Sequence, residues 1–96
     1  MMAETEVLKI MAQHGYKLTD TGPGCMGYAK QQPGSVWIVT SMEHPYQAPK
    51  RMEEPVLVSR FTPEWDYIDG SDRIYDSLED YLNGKEGKVR NWVEQQ

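Results

Sequence analysis

The sequence has few of the features that would cross-link a small protein or anchor it in a membrane. Cys25 is the only cysteine in 96 residues, so no internal disulfide can form. The longest apolar run, Val36 to Val39, is far short of the roughly 18 residues that a membrane-spanning helix needs. Glu4 and Glu6 stand where a secretory signal carries basic residues. We therefore expect a cytoplasmic protein that does not associate with membranes.

Positive charge is also scarce, and its shortage is local. The chain has 10 basic and 15 acidic residues, which gives a formal net charge of −5. Residues 1–52 hold five bases and four acids, whereas residues 53–96 hold five bases and eleven acids. Phosphate backbones would be repelled by the acidic part of such a surface, so we expect no direct binding to nucleic acid.

Hydrophobic periodicity predicts an N-terminal helix followed by a small sheet. Val7, Ile10, Met11 and His14 have the spacing of one helical face, and Leu8 widens this stripe. Thr5 can cap the start of this helix, and Gly15 can end it. Alternating and β-branched residues predict strands, in order at 16–18, 25–30, 35–42 and 56–61. Glycine and proline predict turns at 21–24 and 31–34 and a long loop at 44–55.

A second amphipathic helix is predicted from about residue 72 to residue 83. Ile74, Leu78 and Tyr81 share one helical face, Ser71 can cap the start, and Gly84 can close the end. The spacing of Val89, Trp92 and Val93 predicts a short terminal helix.

These elements predict the fold class. Strands joined by short turns pair antiparallel, and amphipathic helices cover one face of a sheet. We therefore expect one α+β domain over residues 1–96. It would have two layers, namely a three- to four-stranded antiparallel sheet and an N-terminal and a C-terminal helix.

The sequence indicates no catalytic, cofactor or metal site. Residues 22–27 match G-x-G-x-x-G by letter, but the polar segment before them and Pro33 after them exclude the strand and helix of a dinucleotide site. Neither His14 nor His44 has a spacing from Cys25 that indicates a nucleophile and its base. Paired cysteine or histidine motifs of metal sites are missing. We therefore expect a protein that is not an enzyme and that needs no cofactor.

The acidic residues of the second half form the strongest functional pattern. On a helix over 72–83, four carboxylates would share one face at i, i+4, i+7 and i+8. Like charges four residues apart destabilise a helix by about 0.2–0.5 kcal/mol per pair, so a row of one sign is unusual. An ordinary solvated helix face is the alternative interpretation.

The segment before this predicted helix, residues 64–70, is called the acidic aromatic loop. It combines carboxylates with two large aromatic side chains, a composition typical of protein interfaces. Alternatively, Trp65 folds back onto the core. The loop and the predicted helix together predict a partner-binding surface of nine residues, which are Glu64, Trp65, Asp66, Tyr67, Asp69, Asp72, Asp76, Glu79 and Asp80.

The order of a helix, a glycine-rich turn, a short antiparallel sheet and an acidic helix around residues 77–82 resembles that of short phage and mobile-element proteins, among them anti-CRISPR proteins. The resemblance is one of layout over most of the chain, so no residue's role follows from it. It implies a small acidic protein that binds a host nuclease or surveillance complex.

The expected function is that of a non-enzymatic inhibitor. Its acidic surface would resemble a phosphate backbone and occupy a basic nucleic-acid site on a protein or ribonucleoprotein, such as a defence complex of the CRISPR type. One alternative is a homodimeric accessory module that pairs through Trp37 or through the edge strand at 16–18. A less favoured alternative is a small-ligand domain that uses the glycine-rich turn and the loop at 44–55.

Overall fold

Six antiparallel strands form one sheet whose spatial order follows the chain, from β1 to β6. The computed structural model describes residues 4–22, 24–44 and 46–89. Its elements are α1 (Glu4–Gln13), β1 (Lys17–Gly22), β2 (Cys25–Gln32), β3 (Ser35–Ser41), β4 (Val56–Phe61), β5 (Arg73–Tyr75), α2 (Leu78–Leu82) and β6 (Lys88–Val89). The predicted α+β class is confirmed, and the sheet gains two short strands over the expected three to four.

The N-terminal helix packs on the sheet through its predicted apolar stripe. Val7 and Met11 are fully buried and Ile10 is partly buried, whereas Leu8 and His14, which the prediction also assigns to this stripe, are exposed. The described part of the helix starts at Glu4, so Thr5 lies inside the helix and not at its N-cap. Gly15 ends it with φ +89°, and this left-handed turn lets the Tyr16 amide donate to the Met11 carbonyl at 2.9 Å.

The predicted hairpins are present with tighter connections than expected. Strand β2 extends to Gln32, so only Pro33 and Gly34 connect it to β3. Strand β1 likewise extends through Thr21 and Gly22, which the sequence assigns to a turn. These extensions add ladder hydrogen bonds at the ends of both hairpins.

The two faces of the sheet differ in what covers them. On the covered face, Val39 lies between Tyr28 and Val58 in the ladder. These side chains form the core together with Val7, Met11 and Leu78 from the two helices.

Residues one position away along the strands point to the opposite side, the open face. There Ile38 lies between Ala29 and Ser59 in the ladder. The loop after β4 reaches this face.

The long loop between β3 and β4 is ordered around a buried carboxylate. Glu54 is 3% exposed; its carboxylate accepts hydrogen bonds from the Ser41 hydroxyl and, at 3.1 Å, from the Lys50 amide. Its backbone carbonyl accepts from the Leu78 amide at 2.8 Å, and the Met52 carbonyl accepts from the Glu79 amide at 2.9 Å. The loop therefore holds the first turn of α2.

The prediction of a helix over residues 72–83 is wrong in its first half. Strand β5 occupies Arg73–Tyr75 and pairs with β4, so the helix is only Leu78–Leu82. Its N-cap is Ser77, whose hydroxyl accepts from the Asp80 amide at 3.0 Å. β-Branched and aromatic residues favour a strand once a neighbouring strand offers a free edge. Gly84 does close the helix, with φ +82°.

The prediction of a terminal helix at 89–93 is wrong at its first residue, Val89, which lies in a strand. Val89 pairs with Arg73 in the two-residue strand β6. Trp92 and Val93 lie outside the described residues. None of the described helices has the length and apolar character needed to cross a membrane.

Candidate functional site

The acidic aromatic loop leaves β4 through a tight turn. The Trp65 amide donates to the Thr62 carbonyl at 2.8 Å, and the Thr62 amide donates to the Asp66 carbonyl at 2.8 Å. The Asp66 amide donates to the Thr62 hydroxyl at 3.1 Å. Within this turn Trp65 has φ +70°, a left-handed conformation that costs a bulky residue on the order of 1–3 kcal/mol. The turn therefore holds this tryptophan in a strained conformation.

The strained turn places the Trp65 ring against the end of β4. Its centroid lies 6.4 Å from that of Phe61, and the Tyr67 centroid lies 5.8 Å from Phe61 on an edge-to-face contact. Trp65 and Tyr67 each remain 45% exposed. Trp65 thus does not join the core, and the two rings form a half-exposed aromatic cluster with Phe61.

Two cavities lie side by side on the open face, and Trp65 lines both. The larger, of about 440 Å³, is lined by Asp20, Thr21, Ile38, Thr40, Leu57, Ser59, Phe61 and Trp65. The second, of about 370 Å³, is lined by Gly15, Lys17, Thr19, Ala29, Gln31, Val36 and Trp65. Together they form a groove along the open face, divided by the indole ring.

The floor of the groove depends on a glycine in β2. A Cβ atom at Gly27 would lie 3.0 Å from Ile38 Cγ2 and 3.2 Å from the Val39 carbonyl oxygen. Both distances are shorter than ordinary van der Waals contact, so the absence of a side chain at this position lets Ile38 lie low in the groove.

The carboxylates of the acidic aromatic loop face solvent. Glu64, Asp66 and Asp69 are all exposed. Within residues 4–22, 24–44 and 46–89, none of these three carboxylates forms a salt bridge. Their charge is therefore not neutralised by another described side chain.

Asp72 belongs to the same region through its contacts. Its Oδ1 accepts a hydrogen bond from the Ser59 hydroxyl, which lines the larger cavity, at 2.6 Å. Desolvation, and then the hydrogen bond to Asp72, raises the pKa of the Tyr67 hydroxyl, and the charge of Asp69 acts in the same direction. Tyr67 therefore stays protonated beside these carboxylates at neutral pH.

The remaining acidic residues lie elsewhere. Asp76 is 3.5 Å from Lys88 Nζ, and Asp80 is 3.2 Å from Lys85 Nζ. They line a separate cavity of about 150 Å³ together with these lysines. Glu79 is exposed in the first turn of α2.

The single acidic row that the sequence predicts is thus divided. Because residues 73–75 form strand β5, the helical face that would align these acidic side chains does not form. Six of the nine predicted residues stay together beside the groove, namely Glu64, Trp65, Asp66, Tyr67, Asp69 and Asp72.

The groove itself is absent from the sequence-based prediction. The sequence pattern that could have indicated the groove is in β3. There Val36 and Ile38 alternate with Trp37 and Val39, so both faces of the strand are apolar. Two short helices can cover only one such face. The second face must therefore carry apolar surface that the helices leave uncovered.

The arrangement provides the chemistry of binding: apolar walls, half-exposed aromatic rings and unneutralised carboxylates. In the described part of the chain no three His, Cys, Asp or Glu side chains form a group that could hold a metal ion. Comparison with known proteins finds no match to a family model, a curated protein or a solved structure. The functional argument therefore depends on the geometry of this site.

Proposed function

We propose that the protein is a non-enzymatic binding module that docks on the basic surface of a protein or ribonucleoprotein partner. The contact surface is the acidic aromatic loop and the groove beside it. The observation that carries the proposal is Trp65, held half exposed with φ +70° over the open face. Backbone strain at a bulky residue persists where the surrounding structure enforces it, and such positions cluster at binding sites.

Trp65 and the groove supply the affinity of the proposed contact. A half-exposed indole beside an apolar groove buries much area at little entropic cost, as tryptophans at the centres of interfaces do. Leu57 and Phe61 line the groove and are only partly buried, so they offer apolar area from which a partner side chain would displace water. This contribution does not depend on salt.

The carboxylates determine which kind of partner the protein prefers. Glu64, Asp66 and Asp69 give the rim of the groove a negative potential, which speeds encounter with a basic surface and disfavours acidic partners. Residues 53–80 hold nine acids and only two bases, so the wider surroundings reinforce this potential. Exposed charges are screened beyond about 10 Å at 0.1 M salt, so binding weakens as salt rises.

Inhibition follows if the partner uses that basic surface for nucleic acid. Channels that hold nucleic acid are lined with Lys and Arg, and a protein bound there competes directly with the phosphate backbone. We propose this occupancy mechanism, with a host nucleic-acid-binding or defence complex, including those of the CRISPR type, as the target. The acidic surface it uses is smaller than the nine-residue surface predicted, because Asp76 and Asp80 are paired with lysines.

Pairing of two copies through β1 is a second candidate. Strand β1 is the outer strand of the sheet, and Leu18 on it is 44% exposed, which is the geometry of edge-to-edge association. Trp37 is half-buried under Arg60 and Tyr16 is buried, so neither supplies the surface. A molar mass measured by light scattering separates monomer from dimer.

A charge-reversal experiment tests the proposed function. One variant carries Glu64→Lys, Asp66→Lys and Asp69→Lys, and a matched control carries Glu53→Lys, Glu79→Lys and Glu86→Lys, all exposed positions. We expect the wild type and the control to capture the same partner from host lysate at low salt, and the loop variant to capture at least tenfold less.

The captured partner is then assayed for nucleic-acid binding with and without the protein. We expect the protein to displace nucleic acid. Equal capture by the loop variant contradicts the acidic-loop surface, and a partner that keeps its nucleic acid contradicts the occupancy mechanism.

A further inference from the structure

The two basic residues of the acidic stretch meet in one cavity on the covered face, beside the core. Arg60 and Arg73 are the only bases in residues 53–80. Both line a cavity of about 310 Å³ together with Trp37, Val58, Ser71 and Tyr75. No Asp or Glu of the described residues lines it. A region with a strong excess of acids thus contains one local site of positive charge.

The register of the sheet sets the spacing of the two arginines. Arg73 lies directly opposite Val58, and Arg60 lies two residues after Val58 on the same face. Diagonal neighbours of this kind are about 7–8 Å apart at Cα. This spacing does not set the distance between the two guanidinium groups, but both arginines line the same cavity. Like charges there repel each other, and the repulsion grows as the surroundings become less polar.

Both guanidinium groups are held in place by other contacts. Arg60 lies over the Trp37 ring, 5.4 Å from its centroid. The Ser71 hydroxyl accepts from the Arg60 amide at 3.0 Å and fixes the strand there. Arg73 Nη1 donates to the Gly70 and Asp72 carbonyls, at 2.8 Å each.

A guanidinium carries five N–H donors, and the two bonds of Arg73 both leave from Nη1. These two hydrogen bonds therefore orient the Arg73 guanidinium but use only some of its N–H donors.

We propose that this arginine cavity binds a small aromatic anion, an aryl carboxylate or aryl phosphate. The anionic oxygens bridge Arg60 and Arg73, whose planar forks match carboxylate and phosphate geometry. The ring of the ligand contacts Tyr75 and the part of Trp37 that Arg60 leaves open to the cavity. The bound negative charge removes the repulsion between the guanidiniums. The cavity lies at the lower end of the roughly 300–1,000 Å³ range of small-molecule sites, which suits a single ring.

Titration of the wild-type protein at constant ionic strength tests the proposal. The ligands are benzoate, phenyl phosphate, inorganic phosphate and benzamide, followed by calorimetry and by the indole N–H signal of Trp37 in NMR spectra. We expect at least one aryl anion to bind and to shift this signal. Benzamide, which keeps the ring without the charge, and inorganic phosphate, which keeps the charge without the ring, should bind at least tenfold more weakly.

The comparison of benzoate with phenyl phosphate identifies the anionic group. The proposal is overturned if neither aryl anion shifts the Trp37 signal, if benzamide binds as tightly as they do, or if inorganic phosphate binds as tightly as phenyl phosphate.

Variants then assign the binding to the two arginines. Arg60→Gln and Arg73→Gln should each weaken the bound aryl anion at least tenfold, whereas Lys50→Gln, which removes the same charge from an exposed position, should not. Arg60→Lys keeps the charge without the fork and should still weaken binding. Unchanged affinity in the folded glutamine variants overturns the proposal, and if they do not fold, the wild-type titration decides alone.

The site is independent of the proposed function. The variant with three lysines in the acidic aromatic loop should keep its affinity for the aryl anion, so that failure of one proposal does not imply failure of the other.

Discussion

The two faces of the sheet carry similar side chains but are covered in different ways. Val39 on the covered face is fully buried under the helices, and Ile38 beside it on the open face is 5% exposed. Yet Ile38 lines the larger cavity of the groove, of about 440 Å³, and among the described residues Trp65 is the one lining residue that lies outside the sheet. Strand periodicity thus predicts that both residues are buried, but not that helices cover one of them while the other borders a groove.

The acidic side chains also differ between the two parts of the molecule, in whether a described lysine or arginine pairs with them. The carboxylates of the acidic aromatic loop lie beside the open face without a described ion pair, whereas Asp76 and Asp80 are held by Lys88 and Lys85. The open face thus combines apolar area with carboxylates that no described side chain neutralises, and the covered face holds the fold together.

The largest expected effect comes from comparing two leucine variants, one on the covered face of the sheet and one on the open face. Leu78 of α2 is fully buried in the core, so Leu78→Ala should lower the free energy of unfolding by about 2–5 kcal/mol. Leu57 on the open face is only partly buried and borders an existing cavity, so Leu57→Ala should cost less than about half as much. Urea unfolding of the two variants measures the difference. Equal losses would show that the open face contributes to the core as fully as the covered face.

The pH dependence should also differ between the two sides. Burial raises the pKa of Tyr81 and of Tyr16, whose hydroxyl groups share a hydrogen bond beside the core. Since the folded state keeps these protons while the unfolded chain releases them near pH 10, stability is retained below about pH 10 and falls as the pH rises further. Tyr81→Phe should lower stability by about 1 kcal/mol at pH 7 and make the alkaline loss shallower.

Tyr46→Phe is the control for this measurement, because Tyr46 is 70% exposed. Urea unfolding at neutral pH and above pH 10 gives the slope for each protein. A slope that Tyr81→Phe leaves unchanged, or that Tyr46→Phe reduces as much, would contradict the assignment to the buried pair.

The smallest expected effect concerns backbone strain at the open face. Because Trp65 has φ +70°, Trp65→Gly relieves strain that Trp65→Ala keeps. The glycine variant should be the more stable by about 1 kcal/mol. At Ala12, which is exposed in α1, the order reverses, and Ala12→Gly should destabilise by about 1 kcal/mol. Thermal unfolding compares the three variants. An alanine variant at 65 as stable as the glycine variant would show that the turn holds no strain.

Those parts of the fold that depend on local patterns could be predicted from the sequence. Strand β4 has the predicted bounds of 56–61, and α1 buries Val7 and Met11 of the predicted stripe. The segment 72–83 could not be assigned, because Ile74, Leu78 and Tyr81 fit a helix by spacing while β4 offers Arg73–Tyr75 a free edge. That edge exists only after the chain has folded.

The candidate site follows the same rule. Residues 64–69 stay together because they are neighbours in sequence, so composition alone could indicate them. Asp76 and Asp80 would join them only through a helix that does not form. The groove depends on the pairing of β3 with β4 and on the φ angle of Trp65, and neither can be read from composition or periodicity.

The bonds of Glu54 have a consequence for the connectivity of the sheet. Two residues connect β2 to β3, but fourteen, 42–55, connect β3 to β4. Closing a longer flexible connection costs more chain entropy. Glu54, near the end of this connection, binds the hydroxyl of Ser41, the last residue of β3. By this hydrogen bond the Glu54 carboxylate holds the two ends of the long connection close together.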